Sequence, residues 1–384
     1  MTGYLIVLGV ALGTTLVLTP LVRRLAVAIG AVVAPDARRV HDRPTPTLGG
    51  LAMYLGFLAG VGTATLVPQF DPVFEASSEA LGIVVGATII VLVGAIDDIR
   101  EVSAPAKMAG QVLAASALSL FGVTMLFFKV PFGETLVLSP DLAPLVTVLW
   151  VLGMANAVNF IDGLDGLAAG TVAIAAGAFA LYSDRLFEQG LLGLDNNSIA
   201  PLLAVLALGM CLGFLPFNVH PARIFMGDGG AMLLGLLMAC STLLVGGKTY
   251  EDTNGSTFFF YAPLLIPFVI MGVPVFDTAF AVVRRASRRA SPATADKEHL
   301  HHRLMRLGHG QRRSVFILWA WTAILSGFVL YPVYTDEGTA LVPAGIAALA
   351  VALFTVLHPE ARRSRRGRAV TAGADASGSS GRYT

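Results

Sequence analysis

Residues 142–182 read LAPLVTVLWVLGMANAVNFIDGLDGLAAGTVAIAAGAFALY. Two apolar runs, each close to the roughly 20 residues a bilayer-spanning helix needs, flank one polar cluster from Asn156 to Asp165. Carboxylates at a membrane boundary are costly unless they face water, a partner or a metal, so the cluster reads as a functional site on a membrane frame. Asn159, Asp162 and Asp165 stand at i, i+3 and i+6, and would share one face of a helix. Gly163 and Gly166 allow close backbone approach or a helix break, so one long broken span competes here with two separate ones.

Composition extends that reading to the whole chain. Hydrophobic residues make up 55%, charged residues 13%, and mean hydropathy is +0.74. A soluble domain carries about 25% charged residues, so the expected class is an all-α polytopic membrane protein. A net charge of +1 gives no sign of nucleic-acid binding. Cys211 and Cys240 lie inside apolar runs and read as small buried residues, not as a disulfide or a metal site. Arg23 and Arg24 follow the first apolar run and no basic residue precedes it, the wrong polarity for a cleaved signal peptide.

Working outward, about eleven apolar runs are long enough to span. They lie near 4–22, 49–68, 80–96, 107–128, 143–160, 163–182, 198–216, 229–247, 258–283, 314–334 and 339–358. Residues 1–360 are expected to form one integral membrane domain. Residues 361–384 read as a disordered tail, basic and then Gly/Ser-rich, on the cytoplasmic side. With the N-terminus outside and the C-terminus inside, all but three of the 26 lysines and arginines fall on inner segments; the exceptions are Lys129, Arg185 and Lys248. Positive charge marks the cytoplasmic side. Every acidic motif then faces the cytoplasm.

Each motif has a bland alternative. Asp97 and Asp98 end the third run in GAIDDIREVSAPAK, with Lys107 ten residues after Asp97. Adjacent carboxylates repel unless a cation or proton intervenes; the bland reading is a solvated helix end. Asn156, Asn159, Asp162 and Asp165 offer hard oxygen ligands suited to Mg2+, and lack the further ligands and the Glu of a calcium loop; a polar helix cap is the alternative. Asp228 sits between glycines in FMGDGG, where it is either a metal ligand or an N-cap. KEHLHHRLMRLGHG holds His299, His301, His302 and Arg303, donors that suit a diphosphate or sugar better than zinc, in what could also be a solvated basic loop. His41 and Arg43 precede a Pro-rich turn into the membrane at Gly49 and Gly50, which reads as a lipid-phosphate docking loop or as positive-inside bias alone. Asp277 lies inside the ninth run near its inner end, and would pair with a cation or support the site.

Together VGAIDDIR with Lys107, NAVNFIDGLDGLA, FMGDGG and HLHHRL, in this order over residues 38–310, resemble the polyprenyl-phosphate N-acetylhexosamine-1-phosphate transferases. The HLHHRL form resembles the branch that uses UDP-N-acetylglucosamine; the branch that uses UDP-N-acetylmuramoyl-pentapeptide carries three consecutive histidines. The resemblance implies Mg2+, with Mn2+ as the alternative ion, held by Asp228 and Asn159. It implies that Asp97, Asp98, Lys107, Asp162 and Asp165 serve catalysis or organise the phosphates. It further implies that Asn156, His299, His301, His302, Arg303, His41 and Arg43 meet substrate. Expected partners are UDP-N-acetylglucosamine, a polyprenyl phosphate and membrane lipid, in a bacterial plasma membrane; a homodimer fits the family. The rivals are the pentapeptide transferase, a secondary transporter with intramembrane carboxylates, and a catalytically silent membrane scaffold.

Overall fold

The computed structural model describes residues 2–34, 43–75, 77–129, 135–188, 198–246, 304–305, 309–335 and 341–357. Its helices are α1 (Thr2–Ala28), α2 (Gly49–Ala64), the short α3 (Asp71–Glu75), α4 (Glu79–Arg100), α5 (Ala104–Leu120), α6 (Leu142–Ile161), α7 (Leu167–Glu188), α8 (Ala200–Asn218), α9 (Gly227–Gly246), α10 (Gln311–Thr335) and α11 (Leu341–Leu357). Among the described residues, 7 helices are long and apolar enough to cross a membrane, and α2 with its continuation makes an eighth if that bent pair is one span. The fold is all-α and polytopic, as expected. The run at 258–283, with Asp277, lies outside the described residues.

Two details differ from the sequence expectation. The run 107–128 does not stay helical: α5 ends at Leu120, Gly122 takes a φ of +94°, and the chain turns into an antiparallel hairpin of β3 (Phe127–Lys129) and β4 (Thr135–Val137). The run 49–68 stops being α-helical at Ala64, and the segment Pro68–Glu75, which ends in α3, lies at 90° to α2. The runs 143–160 and 163–182 are, as expected, two helices, α6 and α7, each long enough to span and joined by the turn 162–166.

Helix α9 is the hub. It is apolar on every side, as a helix in a core must be, and every residue from Ala231 to Leu234 and from Leu236 to Cys240 is fully buried. It packs against α2, α4, α6 and α8. On the other side of α2 and α8, α1 is clasped through small residues: Gly56 and Gly213 face Thr15, and Gly209 faces the Leu8 carbonyl. In lipid, helices associate by close packing, and small residues let backbones approach.

The same device builds the site. A Cβ on Gly50 would land on the Gly230 backbone, and one on Gly94 on the Gly229 backbone. Glycines therefore let the start of α2 and the last turns of α4 touch the start of α9. Backbone bonds lock the joint: Gly49 N–H donates to the Phe225 carbonyl (3.0 Å), Gly50 N–H to Met226 (2.7 Å), and Phe225 N–H to Pro46 (2.8 Å). Pro46 belongs to β2 (Thr45–Pro46), which pairs with β1 (Val32–Val33).

Gly94→Ala should lower the thermal unfolding midpoint in detergent, since overpacking against fixed backbone costs about 1–3 kcal/mol. Gly13→Ala, mid-helix in α1 with open space around it, should leave the midpoint unchanged or raise it.

Candidate active site

Asp97 and Asp98 occupy the last turn of α4. Asp97 Oδ1 accepts the Val102 N–H at 2.6 Å, which holds the tight connection to α5. That connection returns Lys107, near the start of α5, to Asp97 Oδ2 at 3.0 Å. The same ammonium is paired with Asp228 Oδ2 at the start of α9. Asn159, in the last turn of α6, completes the cluster. With its amide oriented to suit both neighbours, its nitrogen donates to Asp228 Oδ1 (3.2 Å) and its oxygen accepts from Lys107 Nζ (3.3 Å). Four helix ends thus converge on one ammonium.

Asp98 plays a different part from Asp97. Its Oδ1 accepts the backbone N–H of Asp228 at 3.0 Å, so a side chain of α4 caps the amino end of α9. Its Oδ2 is buried without a hydrogen-bond partner among the described residues. Asp228 is left free of capping, and its carboxylate turns to Lys107 and Asn159. Lys107 and Asp97 are 16% exposed and Asp228 31%. Such partial burial strengthens the charge interactions over their value in water, while one side stays open to a ligand.

The expectation that Asn159, Asp162 and Asp165 share one helix face is not met. α6 ends at Ile161, Asp162 is its C-cap residue, and Gly166 takes a φ of +77°. Asp162 remains near the cluster. Its carboxyl is pushed up from 3.8 to about 7, first by burial and then by the charges of Asp98 and Asp165. Asp165 turns the other way: its Oδ2 meets His220 Nδ1 at 2.7 Å and accepts the Ala222 N–H at 3.1 Å. Asn218 reinforces this second tie. It accepts the Gly166 N–H (3.1 Å) and donates to the Ile224 carbonyl (3.1 Å). The two loops that carry Asp162 and lead into Asp228 are stitched into one wall.

Asn156 faces Gln111 on α5. Its Nδ2 donates to Gln111 Oε1 and to the Leu152 carbonyl, both at 2.8 Å. Arg43 is exposed, at the loop leading into β2. His41, His299, His301, His302 and Arg303 lie outside the described residues. Sequence reasoning passed over Gln111, Asn218 and His220. The signal was present: Gln111 is a polar residue one turn after Lys107, and the other two stand in FNVHPAR, just before FMGDGG.

No three carboxylate, imidazole or thiol side chains close into a metal cage among the described residues. The donors fit an open site instead. Asp228, Asn159 and the unpartnered Asp98 oxygen are hard oxygen donors beside a surplus of negative charge. A small divalent cation held by one or two carboxylates, with waters and phosphates completing its shell, needs no more than this.

Over 351 residues the chain is 38% identical to the decaprenyl-phosphate N-acetylglucosaminephosphotransferase of Mycolicibacterium smegmatis, covering 90% of this chain and 86% of that protein. The chain belongs to glycosyl transferase family 4. The model of that family matches residues 80–246, the stretch that holds Asp97, Lys107, Asn159 and Asp228. A probable undecaprenyl-phosphate N-acetylglucosaminyl 1-phosphate transferase of Bacillus subtilis is 38% identical over 322 residues, 83% of this chain and 81% of its own. The phospho-N-acetylmuramoyl-pentapeptide-transferase of M. smegmatis is 30% identical over 371 residues, 88% and 98% of the two chains. Family 4 membership makes this protein a membrane-integral enzyme of the transferase class.

The raised Asp162 carboxyl has a consequence for stability. The folded state holds that proton more tightly than the unfolded chain, so metal-free protein should lose stability as pH rises from about 4 to about 7. Thermal unfolding in chelator at pH 5 and pH 8 should show this decline, and Asp162→Asn should lessen it.

Proposed function

We propose that the protein transfers N-acetylglucosamine 1-phosphate from UDP-N-acetylglucosamine to a polyprenyl phosphate, releasing UMP, on the cytoplasmic face of a bacterial plasma membrane. The observation that carries the reading is the Lys107 ammonium, held between Asp97 and Asp228 beside the Asn159 amide at a joint of four helix ends. Two relatives named for N-acetylglucosamine phosphate transfer, to decaprenyl and to undecaprenyl phosphate, are each 38% identical, against 34% and 30% for two pentapeptide transferases. The HLHHRL sequence supports the same donor. The near absence of Lys and Arg from the opposite set of loops supports the cytoplasmic assignment.

In this reading an oxygen of the lipid phosphate attacks the β-phosphorus of the donor. One P–O bond forms, the anhydride P–O bond breaks, and its electron pair leaves on the phosphate of UMP. The second pKa of a phosphate monoester is about 6, so the nucleophile is ionised at cytoplasmic pH and no general base is required. The obstacle is the meeting of two anions. Lys107 donates to the diphosphate oxygens, and Asp97 holds it there. Asp98, by capping α9, sets the position of Asp228. Asp228 and Asn159 would hold Mg2+, which when bound supplies charge neutralisation for the transferred phosphoryl group. Asp165, tied to His220, shapes the wall rather than touching the reacting atoms. His299, His301, His302 and Arg303 would cover the sugar and diphosphate.

The test is transfer of label from UDP-N-acetylglucosamine to polyprenyl phosphate by the purified protein in detergent. Transfer should require Mg2+ and fall at least about 100-fold in Asp228→Ala, the scale of losing one transition-state contact. Label moving only from UDP-N-acetylmuramoyl-pentapeptide would reassign the donor. No transfer from either, by folded protein, would overturn the reading.

A further inference from the structure

One helical turn deeper than the charged cluster lies a second polar layer. Gln111 follows Lys107 by four residues on α5, Asn156 precedes Asn159 by three on α6, and Met232 follows Asp228 by four on α9. Each deeper residue therefore lies beneath a site residue on the same helix face. The three deeper residues also meet one another. Gln111 Nε2 donates to Asn156 Oδ1 (3.3 Å) and to Met232 Sδ (3.0 Å), while Gln111 Oε1 accepts from Asn156 Nδ2 (2.8 Å).

This layer is closed. Gln111 is fully buried. Both of its amide hydrogens have acceptors, and both amide hydrogens of Asn156 are taken up by Gln111 and the Leu152 carbonyl. Asn156 thus has no amide hydrogen left to give a substrate. A reciprocal amide pair in a low-dielectric interior is satisfied in one register only. Sliding or rotating α5 against α6 would leave buried polar groups unpaired.

We infer that Gln111 is a positioning residue: its bonds to Asn156 and Met232 set the register of α5, α6 and α9, and so bring Lys107, Asn159 and Asp228 together. This rests on the transferase reading above. Asn156, whose amide hydrogens go to Gln111 and the Leu152 carbonyl, acts on the site through this register.

The experiment compares steady-state transfer by wild type, Gln111→Met, Asn156→Leu and the exchange double variant Gln111→Asn/Asn156→Gln, in detergent with Mg2+. Gln111→Met keeps volume and burial but removes the amide. It should lower kcat roughly 10- to 100-fold, as expected for a displacement of about 1 Å at the reacting groups, with KM for UDP-N-acetylglucosamine within about 2-fold. The exchange variant keeps an amide on each helix and should recover kcat to within about 5-fold of wild type. Full kcat in Gln111→Met, or a folded exchange variant no better than the singles, would overturn the inference. Should Gln111→Met not fold, the exchange variant decides alone. An inactive wild type would sink the transferase reading itself, a result distinguishable from either.

Discussion

One ammonium organises this protein. Lys107 is bonded to Asp97 on α4 and to Asp228 on α9, with the Asn159 amide of α6 beside it. The interaction is structural and chemical together. Structurally, it ties together helix ends that glycine contacts have already brought close. Chemically, it sets a mobile-tipped cation among more carboxylates than it can neutralise. Asp98 and Asp162 lie close by, and the Asp162 carboxyl is raised, first by burial and then by the charges of Asp98 and Asp165. A pocket so built favours cations, and through them the phosphates of a nucleotide sugar and a lipid.

Charge alone could not assemble this cluster. The ends of α2, α4 and α9 must come within backbone contact, and Gly50, Gly94, Gly229 and Gly230 permit it. Contact brings the Asp98 carboxylate to the first amides of α9, whose positive end it caps. Capping in turn leaves the Asp228 side chain available to Lys107. Small residues, helix dipole and ion pair form a single chain of cause, running from packing to chemistry.

Much of this was legible in the sequence because membranes impose strict rules. Apolar runs predicted the helices, and the polar residues that interrupt them predicted Asp97, Asp98, Lys107, Asn159 and Asp228, which the structure brings together. The misses have physical reasons. Spacing suggested that Asp165 shared a face with Asn159, but the helix ends at Ile161, the chain turns through 162–166 with Gly166 at a φ of +77°, and Asp165 meets His220. Hydropathy could not separate a helix from a hairpin at 121–137, where Gly122 breaks α5. Asn156 drew attention as one more polar residue of the motif. Its partner Gln111 sits 45 positions away on another helix, a pairing that no local pattern announces. The histidine segment and His41 lie outside the described residues, and their part in the site rests on sequence.

The central claim is that the Lys107 charge acts on the transferred phosphate. Single-turnover transfer of labelled N-acetylglucosamine phosphate by Lys107→Met, with folding checked by thermal unfolding, tests it most directly. The account predicts a folded protein whose transfer rate is at least about 100-fold below wild type at saturating donor and Mg2+. A rate within a few-fold of wild type would contradict it and leave Lys107 a structural tie alone.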